Sequence, residues 1–510
     1  MRVTNSMISN SAAIHITNAK NKYLKYSEQY TSQQKIQRPS DDPTVAVRSL
    51  KLRTTYAQLT QYVDNNTKDA LNWMDTTESA MSQAGELITS LKGFLNQGDC
   101  DDLTVEDRKS VLSTLQQYVD SIFNECANAD YAGRYLFTGY RTDTPLLFGT
   151  GKDDLAYKIT ENFEYGALVN VTSVTGGATY TAGNTGQDYV DDQATTSTSY
   201  RLQLAYEGCA TSMTYDNNGT TTNFGPIGLK FYSSSGTDIT TTVLGTANIT
   251  TRLSTSSTNS RAVGDNEIVY LNDTGEVLMG KDVYARIQAN QAEISVEYCK
   301  DKFNKGDIRP EMYFECVCKD NTNGKTIKYT EPEDQKIQYE INYSHAMAVN
   351  TQARDAFSTD IYRNIDYIRQ TIELVDEVET KISDCKKMIS NTTDPTEKRA
   401  LQSLQSTLED ERKLRVSVMS EAFGMGLTMV DKTQAKLDIA IADLGAKYNR
   451  TELTYDKLLD TRLDTEQKMS DNEGVDISDV YISLAQATNL YQASLSTTSK
   501  ILGNTLLDYI

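Results

Sequence analysis

Side chains that commonly carry out catalysis are sparse and far apart in this sequence of 510 residues. Its 2 histidines are His15 and His345, with no H-E-x-x-H pattern or histidine cluster for a metal or a nucleophile–base pair. Two fragments of a phosphate-binding loop, GTGKDD at 149–154 and NGKT at 323–326, lack the spacing of a complete loop. The sequence therefore predicts no catalytic residue, no cofactor and no metal site.

The cysteines form an odd, scattered set of 7 without a C-x-x-C pair. They are Cys100, Cys126, Cys209, Cys299, Cys316, Cys318 and Cys385. We expect free thiols, several of them buried as small apolar side chains. Cys316 and Cys318 would share one face of a predicted strand, which leaves a metal or thiol pair open as the alternative.

The segment RPSDDP at 38–43 sets two carboxylates between two prolines. It is either an acidic site or a boundary between helices. Pro39 is predicted to end the first helix, Asp42 can cap the next one, and Pro43 suits its first position. We interpret the segment as a helix boundary.

Heptad spacing identifies the helices that follow. Its stripe consists of Val45, Ser49, Leu52, Tyr56, Leu59, Val63, Asn66, Ala70, Trp73, Thr77, Ala80, Ala84, Leu87, Leu91 and Phe94. A second stripe runs from Val105 to Ala129, after a turn with acidic capping candidates, so the two helices should form an antiparallel hairpin. Asn66 either specifies the register of this stripe or faces a hydrated groove.

Both ends of the chain carry the same spacing with small residues and tyrosines. Such helices are weakly stable alone and need a partner face. The predicted assembly interface comprises Ala12, Ile16, Ala19 and Tyr23 near the start, and Leu484, Ala487, Tyr491, Leu495 and Leu502 near the end.

Between the helical ends, short alternating stretches such as KITENFEY and EISVEYC predict a β-rich middle. Residues 171–262 are of low complexity and are expected to be partly disordered or a surface insertion. The fold is thus predicted as mainly α with an inserted β-rich domain, its N- and C-terminal parts forming an antiparallel helical rod. The predicted divisions are 1–40, 41–148, 149–345, 346–470 and 471–510.

The formal net charge is -20 and the sequence pI is about 4.7. Nucleic acid and anionic membrane surfaces should be repelled, so we expect protein partners. The start of the sequence shows no secretory signal pattern, and no apolar run reaches the roughly 18 residues that a membrane span needs.

Several segments resemble the flagellar hook-associated protein 3 family, the hook-filament junction proteins, which are similar to flagellin at both ends. They are MRVTNSMI at the start, KIQRPSDDPTVAVRSLKLR at 35–53, YAGRYLFTGYRTDTPLLF at 131–148 and LAQATNLYQASLSTTSKILGNTLLDYI at the end. Gln33-Gln34 departs from the serine-glycine pair usual in that family, which puts the local turn geometry in question.

The resemblance implies a non-enzymatic, extracellular subunit of the flagellum, exported by the flagellar type III apparatus with the help of an export chaperone. It further implies self-association in a ring between hook-associated protein 1 and flagellin. Flagellin itself is the alternative, although Pro43-Thr44-Val45 and the YLFTGY motif look more like the junction family.

Overall fold

The computed structural model describes residues 5–100, 103–178, 193–217, 220–256, 259–330 and 335–502. The chain divides into two compact units. The terminal unit comprises Met1–Leu71, Tyr339–Met347 and Asn449–Ile510, and the central unit comprises Asn72–Gln338 and Ala348–Tyr448. No helix among the described residues is long and apolar enough to cross a membrane.

The helices lie mainly toward the two ends of the sequence. They are α1 (Asn5–Ser32), α2 (Pro43–Thr60), α3 (Lys68–Gly98), α4 (Val105–Ser121), α5 (Thr240–Leu244), α6 (Lys281–Asn290), α7 (Pro310–Tyr313), α8 (Ala353–Ala356), α9 (Asp360–Asn391), α10 (Pro395–Glu473) and α11 (Ile477–Leu502). Single π-helical stretches, Gln61–Thr67 and Ile122–Cys126, follow α2 and α4.

The strands occupy the middle of the sequence. They are β1 (Asp130–Tyr131), β2 (Arg134–Tyr135), β3 (Leu155–Phe163), β4 (Val169–Thr175), β5 (Thr195–Gln203), β6 (Met213–Asn217), β7 (Thr220–Phe224), β8 (Ile227–Tyr232), β9 (Asn248–Arg252), β10 (Glu267–Leu271), β11 (Glu276–Met279), β12 (Glu293–Lys300), β13 (Glu315–Asp320), β14 (Thr326–Tyr329), β15 (Gln338–Asn342) and β16 (His345–Ala348).

Two five-stranded sheets form the β-rich part of the central unit. One has the order β14-β13-β3-β12-β8 and is antiparallel throughout, and the other has the order β4-β5-β11-β10-β9 with β9 parallel to β10. Ile159, Leu202, Phe231, Tyr270 and Ile287 belong to one buried cluster, so both sheets and α6 share a core. Alternating apolar side chains produce this arrangement because successive residues of a strand point to opposite faces.

The predicted stripes are packing surfaces in both units. Every position of the first stripe from Val45 to Phe94 is buried or half-buried. Helices α9 and α10 form a second hairpin around a buried cluster that includes Val378, Ile382, Leu404 and Leu408. These contacts confirm the predicted fold class, in which helices from both ends of the chain accompany a β-rich middle.

Three sequence predictions are wrong in detail. Helix α1 ends at Ser32, well before Pro39, because Gln33 takes a left-handed backbone conformation with φ 56°. The cap of α4 is Thr104, whose hydroxyl accepts from the Asp107 N–H in a capping box, rather than an acid of the preceding turn. Where they are described, residues 171–262 are not a surface insertion, because they contain β5, an inner strand of its sheet with Leu202 buried. The alternative of partial disorder falls on residues 179–192, 218–219 and 257–258, which lie outside the described residues.

Candidate assembly site

The terminal helices α1 and α11 pack against each other in antiparallel fashion within the terminal unit. Tyr23 stacks on Tyr491 with ring centroids 6.0 Å apart, and one end of the pair is marked by Tyr30 and Tyr481 at 6.1 Å. The fully buried members of the two helices, Ala19, Val480 and Ala487, are small, and the larger side chains of the contact are only half-buried. Small residues let the two helices approach closely but bury little apolar area, so the pair gains little stability from burial.

The residues of the predicted interface mostly lie in this contact inside one chain. Ala19 and Ala487 are buried; Ala12, Ile16, Tyr23, Leu484 and Tyr491 are half-buried. Leu495 is 43% exposed, and the side chain of Leu502 lies outside the described residues. Their role in binding neighbouring subunits stays a prediction.

A second set of large apolar side chains on α1 and α11 lies outside the predicted stripe. Its members are at least 38% exposed: Met7, Ile8, Ile14, Leu24, Ile482 and Leu490. We call this set the outer face. Heptad spacing selects one stripe per helix, so it does not predict a role for Ile14 or Ile482. Apolar residues on a second side of each helix were the pattern that could have indicated this set.

The loops that join α1 to α2 and α10 to α11 pair with each other. The Lys35 N–H donates to the Glu473 carbonyl at 2.7 Å, and the Val475 N–H donates to the Gln33 carbonyl at 3.2 Å. These bonds hold the C-terminal end of α1 beside the N-terminal end of α11.

The side chain of Glu473 ties the same loops to α2. Arg53 donates to both carboxylate oxygens, from Nε at 2.8 Å and from Nη2 at 2.6 Å, and the Ser49 hydroxyl also donates to this carboxylate. The hydrogen bond from Arg53 is the main reason why the pKa of Glu473 lies below its ordinary value.

The RPSDDP segment is the boundary that its residue types predict. Asp42 is the N-cap of α2 and accepts from the N–H groups of Thr44 at 2.9 Å and Val45 at 3.2 Å, with Pro43 in the first position. Asp41 accepts from the Arg38 and Gln37 N–H groups, and these backbone bonds lower its pKa. Both carboxylates therefore hold backbone in place.

Asn66 lies half-buried in the π-helical stretch after α2, and its Oδ1 accepts from Gln61 Nε2 at 3.2 Å. Its Nδ2 donates to the Glu340 carbonyl of β15 at 2.9 Å. The same stretch buries Val63 against Leu458 of α10. Asn66 thus fastens the β15–β16 hairpin to the helices of the terminal unit.

The other sequence candidates lie apart from this site. His15 and His345 are both exposed. The NGKT fragment is the turn between β13 and β14, where Gly324 takes φ 65°. All seven cysteines are free, and all except Cys100 are buried. Burial raises the pKa of Cys316 and Cys318, and the described residues contain no group of three side chains suited to a metal.

The N-terminal part of the chain is similar to known flagellar proteins. Residues 3–142 match the model of the bacterial flagellin N-terminal helical region. The chain is 31% identical over 144 residues to flagellar hook-associated protein 3 of Escherichia coli K12, covering 28% of this chain and 45% of the relative. The resemblance to the hook-associated protein 3 family is confirmed.

The second curated relative has the same name and comes from Salmonella typhimurium LT2. It is 30% identical over 152 residues, which cover 30% of this chain and 48% of the relative. The chain thus spans about half the length of the curated relatives it matches.

Solved structures of similar description also align. A putative flagellar hook-associated protein from Vibrio parahaemolyticus is 12% identical with a TM-score of 0.35, covering 85% of this chain and 100% of that one. FlgL of Xanthomonas campestris is 14% identical with a TM-score of 0.28, covering 81% and 98%.

Proposed function

We propose that this chain is a non-enzymatic structural subunit of the bacterial flagellum that joins hook to filament. The observation that carries the proposal is the match of residues 3–142 to the flagellin N-terminal helical region, together with the apolar outer face of the α1–α11 pair. A lone helix pair gains little from leaving Ile14, Leu24 and Leu490 in water, whereas a pair surrounded by neighbouring subunits buries them.

Docking of the outer face is the proposed mechanism. Fully burying a leucine or isoleucine contributes about 1.5–3 kcal/mol, so a few outer-face contacts at each subunit boundary would be sufficient to hold an assembly. The proposed neighbours are hook-associated protein 1 on one side and flagellin on the other, with self-association into a ring. Before assembly the subunit would be exported by the flagellar type III apparatus and held by an export chaperone.

A filament flagellin is the second candidate, because the matched family model describes flagellins as well. The two roles differ in what the pure protein does. A flagellin is expected to grow long homopolymers in solution, whereas a junction subunit needs hook or filament ends on which to assemble.

The proposal is tested by deleting the gene for this protein. The cells are then viewed by electron microscopy, and flagellin in the medium is assayed. Bare hooks with monomeric flagellin in the medium are expected of a junction subunit. Filaments that remain attached to their hooks would contradict the junction role.

A further inference from the structure

A cavity of about 320 Å³ lies in the central unit between the β-rich part and α10. Its wall includes Glu161 of β3, Arg201 of β5, the Tyr313-Phe314 segment and residues 357–360. At about 30 Å³ per water of liquid, this space equals roughly ten waters, which is the size range of small-ligand sites. None of the assembly contacts described above uses it.

One side of the cavity is cationic although the chain as a whole is strongly acidic. Lys432 and Lys436, one helical turn apart on α10, line it with exposed side chains; Asp360 also lines it, and neither lysine forms an ion pair with a carboxylate of the described chain. Arg201 also lines it but is engaged, since its Nη1 lies 3.2 Å from Glu276. Two adjacent cations without ion-pair partners attract an anionic group.

The deeper wall is polar and buried. Glu161 is 3% exposed, and its carboxylate accepts from the Ala205 N–H at 3.0 Å and from the Tyr298 hydroxyl. Tyr313 is 7% exposed, and its hydroxyl forms no hydrogen bond with any residue of the described chain. An unpaired buried hydroxyl is unfavourable, so a ligand oxygen that pairs with it would gain affinity.

Aromatic rings complete the wall. Phe163, Phe314 and Phe357 line the cavity beside the amides of Gln203 and Asn364. Ring faces suit the C–H surface of a compact ring, and amide and carboxyl groups suit its hydroxyls. An inorganic anion would use the lysines alone and leave the Tyr313 hydroxyl without a partner.

From this geometry we infer that the cavity binds a hydroxylated carboxylic acid the size of a single sugar acid, its carboxylate at Lys432 and Lys436 and its hydroxyls toward Glu161 and Tyr313. This binding site is independent of the proposed flagellar role, since all of its residues belong to the central unit and none belongs to α1 or α11.

Isothermal titration calorimetry of the full chain with glucuronate tests the inference. The variant is K432A/K436A, and the matched control is K386A/K413A, which removes two exposed lysines that do not line the cavity. We expect saturable binding by the wild type and the control, and at least tenfold weaker binding by K432A/K436A.

Glucose and inorganic phosphate separate the two parts of the site. Each is expected to bind at least tenfold more weakly than glucuronate, because one lacks the carboxylate and the other lacks the hydroxylated ring. Absent glucuronate binding, equal binding by K432A/K436A, or phosphate binding as tight as glucuronate would each overturn the inference. Circular dichroism spectra that match the wild type show that the exposed substitutions have not unfolded the chain.

Discussion

At the scale of single residues, Gln33 adopts a backbone conformation that is unfavourable for a residue other than glycine. Its φ of 56° lies in the left-handed region, where a residue with a Cβ is strained and glycine is not. Gln33-Gln34 also departs from the serine-glycine pair that is usual in the hook-associated protein 3 family. The structure assigns the strain to the first of the two.

Replacing Gln33 with glycine is therefore expected to stabilise the terminal unit by about 0.5–1 kcal/mol. Hydrogen exchange of the α1 amides measures this change locally. The control is Gln34→Gly, because Gln34 has no left-handed φ and gains nothing from the substitution. Equal protection in the two variants would contradict the assignment of strain to Gln33.

Glu161 is the residue whose ionisation should control the pH dependence of the central unit. Burial raises its pKa from 4.5 to about 7. The folded chain therefore binds more protons than the unfolded chain between these two values, and stability falls as pH rises through this window. The shift corresponds to a loss on the order of 3 kcal/mol between pH 4.5 and pH 7.

Glu161→Gln removes this ionisation while keeping an oxygen that accepts from Ala205 and Tyr298. Urea unfolding of the wild type and this variant at pH 5 and pH 8 gives the comparison. The free energy of unfolding should fall less with rising pH in the variant. Some dependence remains, because burial also raises the pKa of Asp366 to about 6. Identical pH dependence in the two proteins would show that Glu161 is not the group responsible.

At the scale of elements, the turn between α3 and α4 shows how a hairpin is closed by one buried cation. Arg108, 6% exposed in the first turns of α4, donates to the Gly98 carbonyl at 3.2 Å and to the Cys100 carbonyl at 2.8 Å. It thereby satisfies carbonyls at the end of α3 that lack helical partners. The residue at position 98 of this turn is glycine because a Cβ there would overlap the Phe423 ring.

Arg108→Met is expected to destabilise the central unit by about 2 kcal/mol, since it keeps the packing volume but leaves buried carbonyls unpaired. Lys109→Met is the neighbouring control. Its partner Asp376 lies 2.8 Å away, but both side chains are more than a third exposed, so its loss should cost under about 1 kcal/mol. Equal shifts of the urea midpoint would contradict the capping role of Arg108.

The predictable elements are those whose signals are local. The heptad stripe and the Asp42 cap depend on residues within a few positions of each other, and each agrees with the structure. The order of strands in the two sheets depends on pairings far apart in sequence, such as β3 with β12, and no periodicity encodes it. The role of Asn66 was missed for the same reason, since its partner Glu340 lies 274 residues away.

At the scale of the whole molecule, we propose different roles for the terminal unit and the central unit. The terminal unit carries the outer face proposed for docking, and the central unit carries the buried β core and the cavity. The sequence predicts an assembly interface on the small-residue stripe of the two terminal helices, and its role in binding neighbours stays a prediction. Much of that stripe lies between α1 and α11 within one chain, and we propose that the outer face contacts the neighbours.

Substitutions on the outer face should thus separate assembly from folding. Leu24 is 43% exposed and Leu490 is 50% exposed, one on each terminal helix beside the Tyr23–Tyr491 stack. Changing both to aspartate should leave the unfolding of the central unit within about 0.5 kcal/mol of the wild type, as usual for surface changes. The same charges would oppose burial between subunits at a cost of several kcal/mol.

The most direct measurement complements the deletion strain with L24D/L490D and counts hooks that bear filaments by electron microscopy. Asn21→Asp with Gln492→Asp is the matched control, placing two negative charges at exposed polar positions of the same helices. The account predicts bare hooks and exported variant protein in the medium for L24D/L490D, and attached filaments for the control. Normal filaments with L24D/L490D would contradict docking through the outer face.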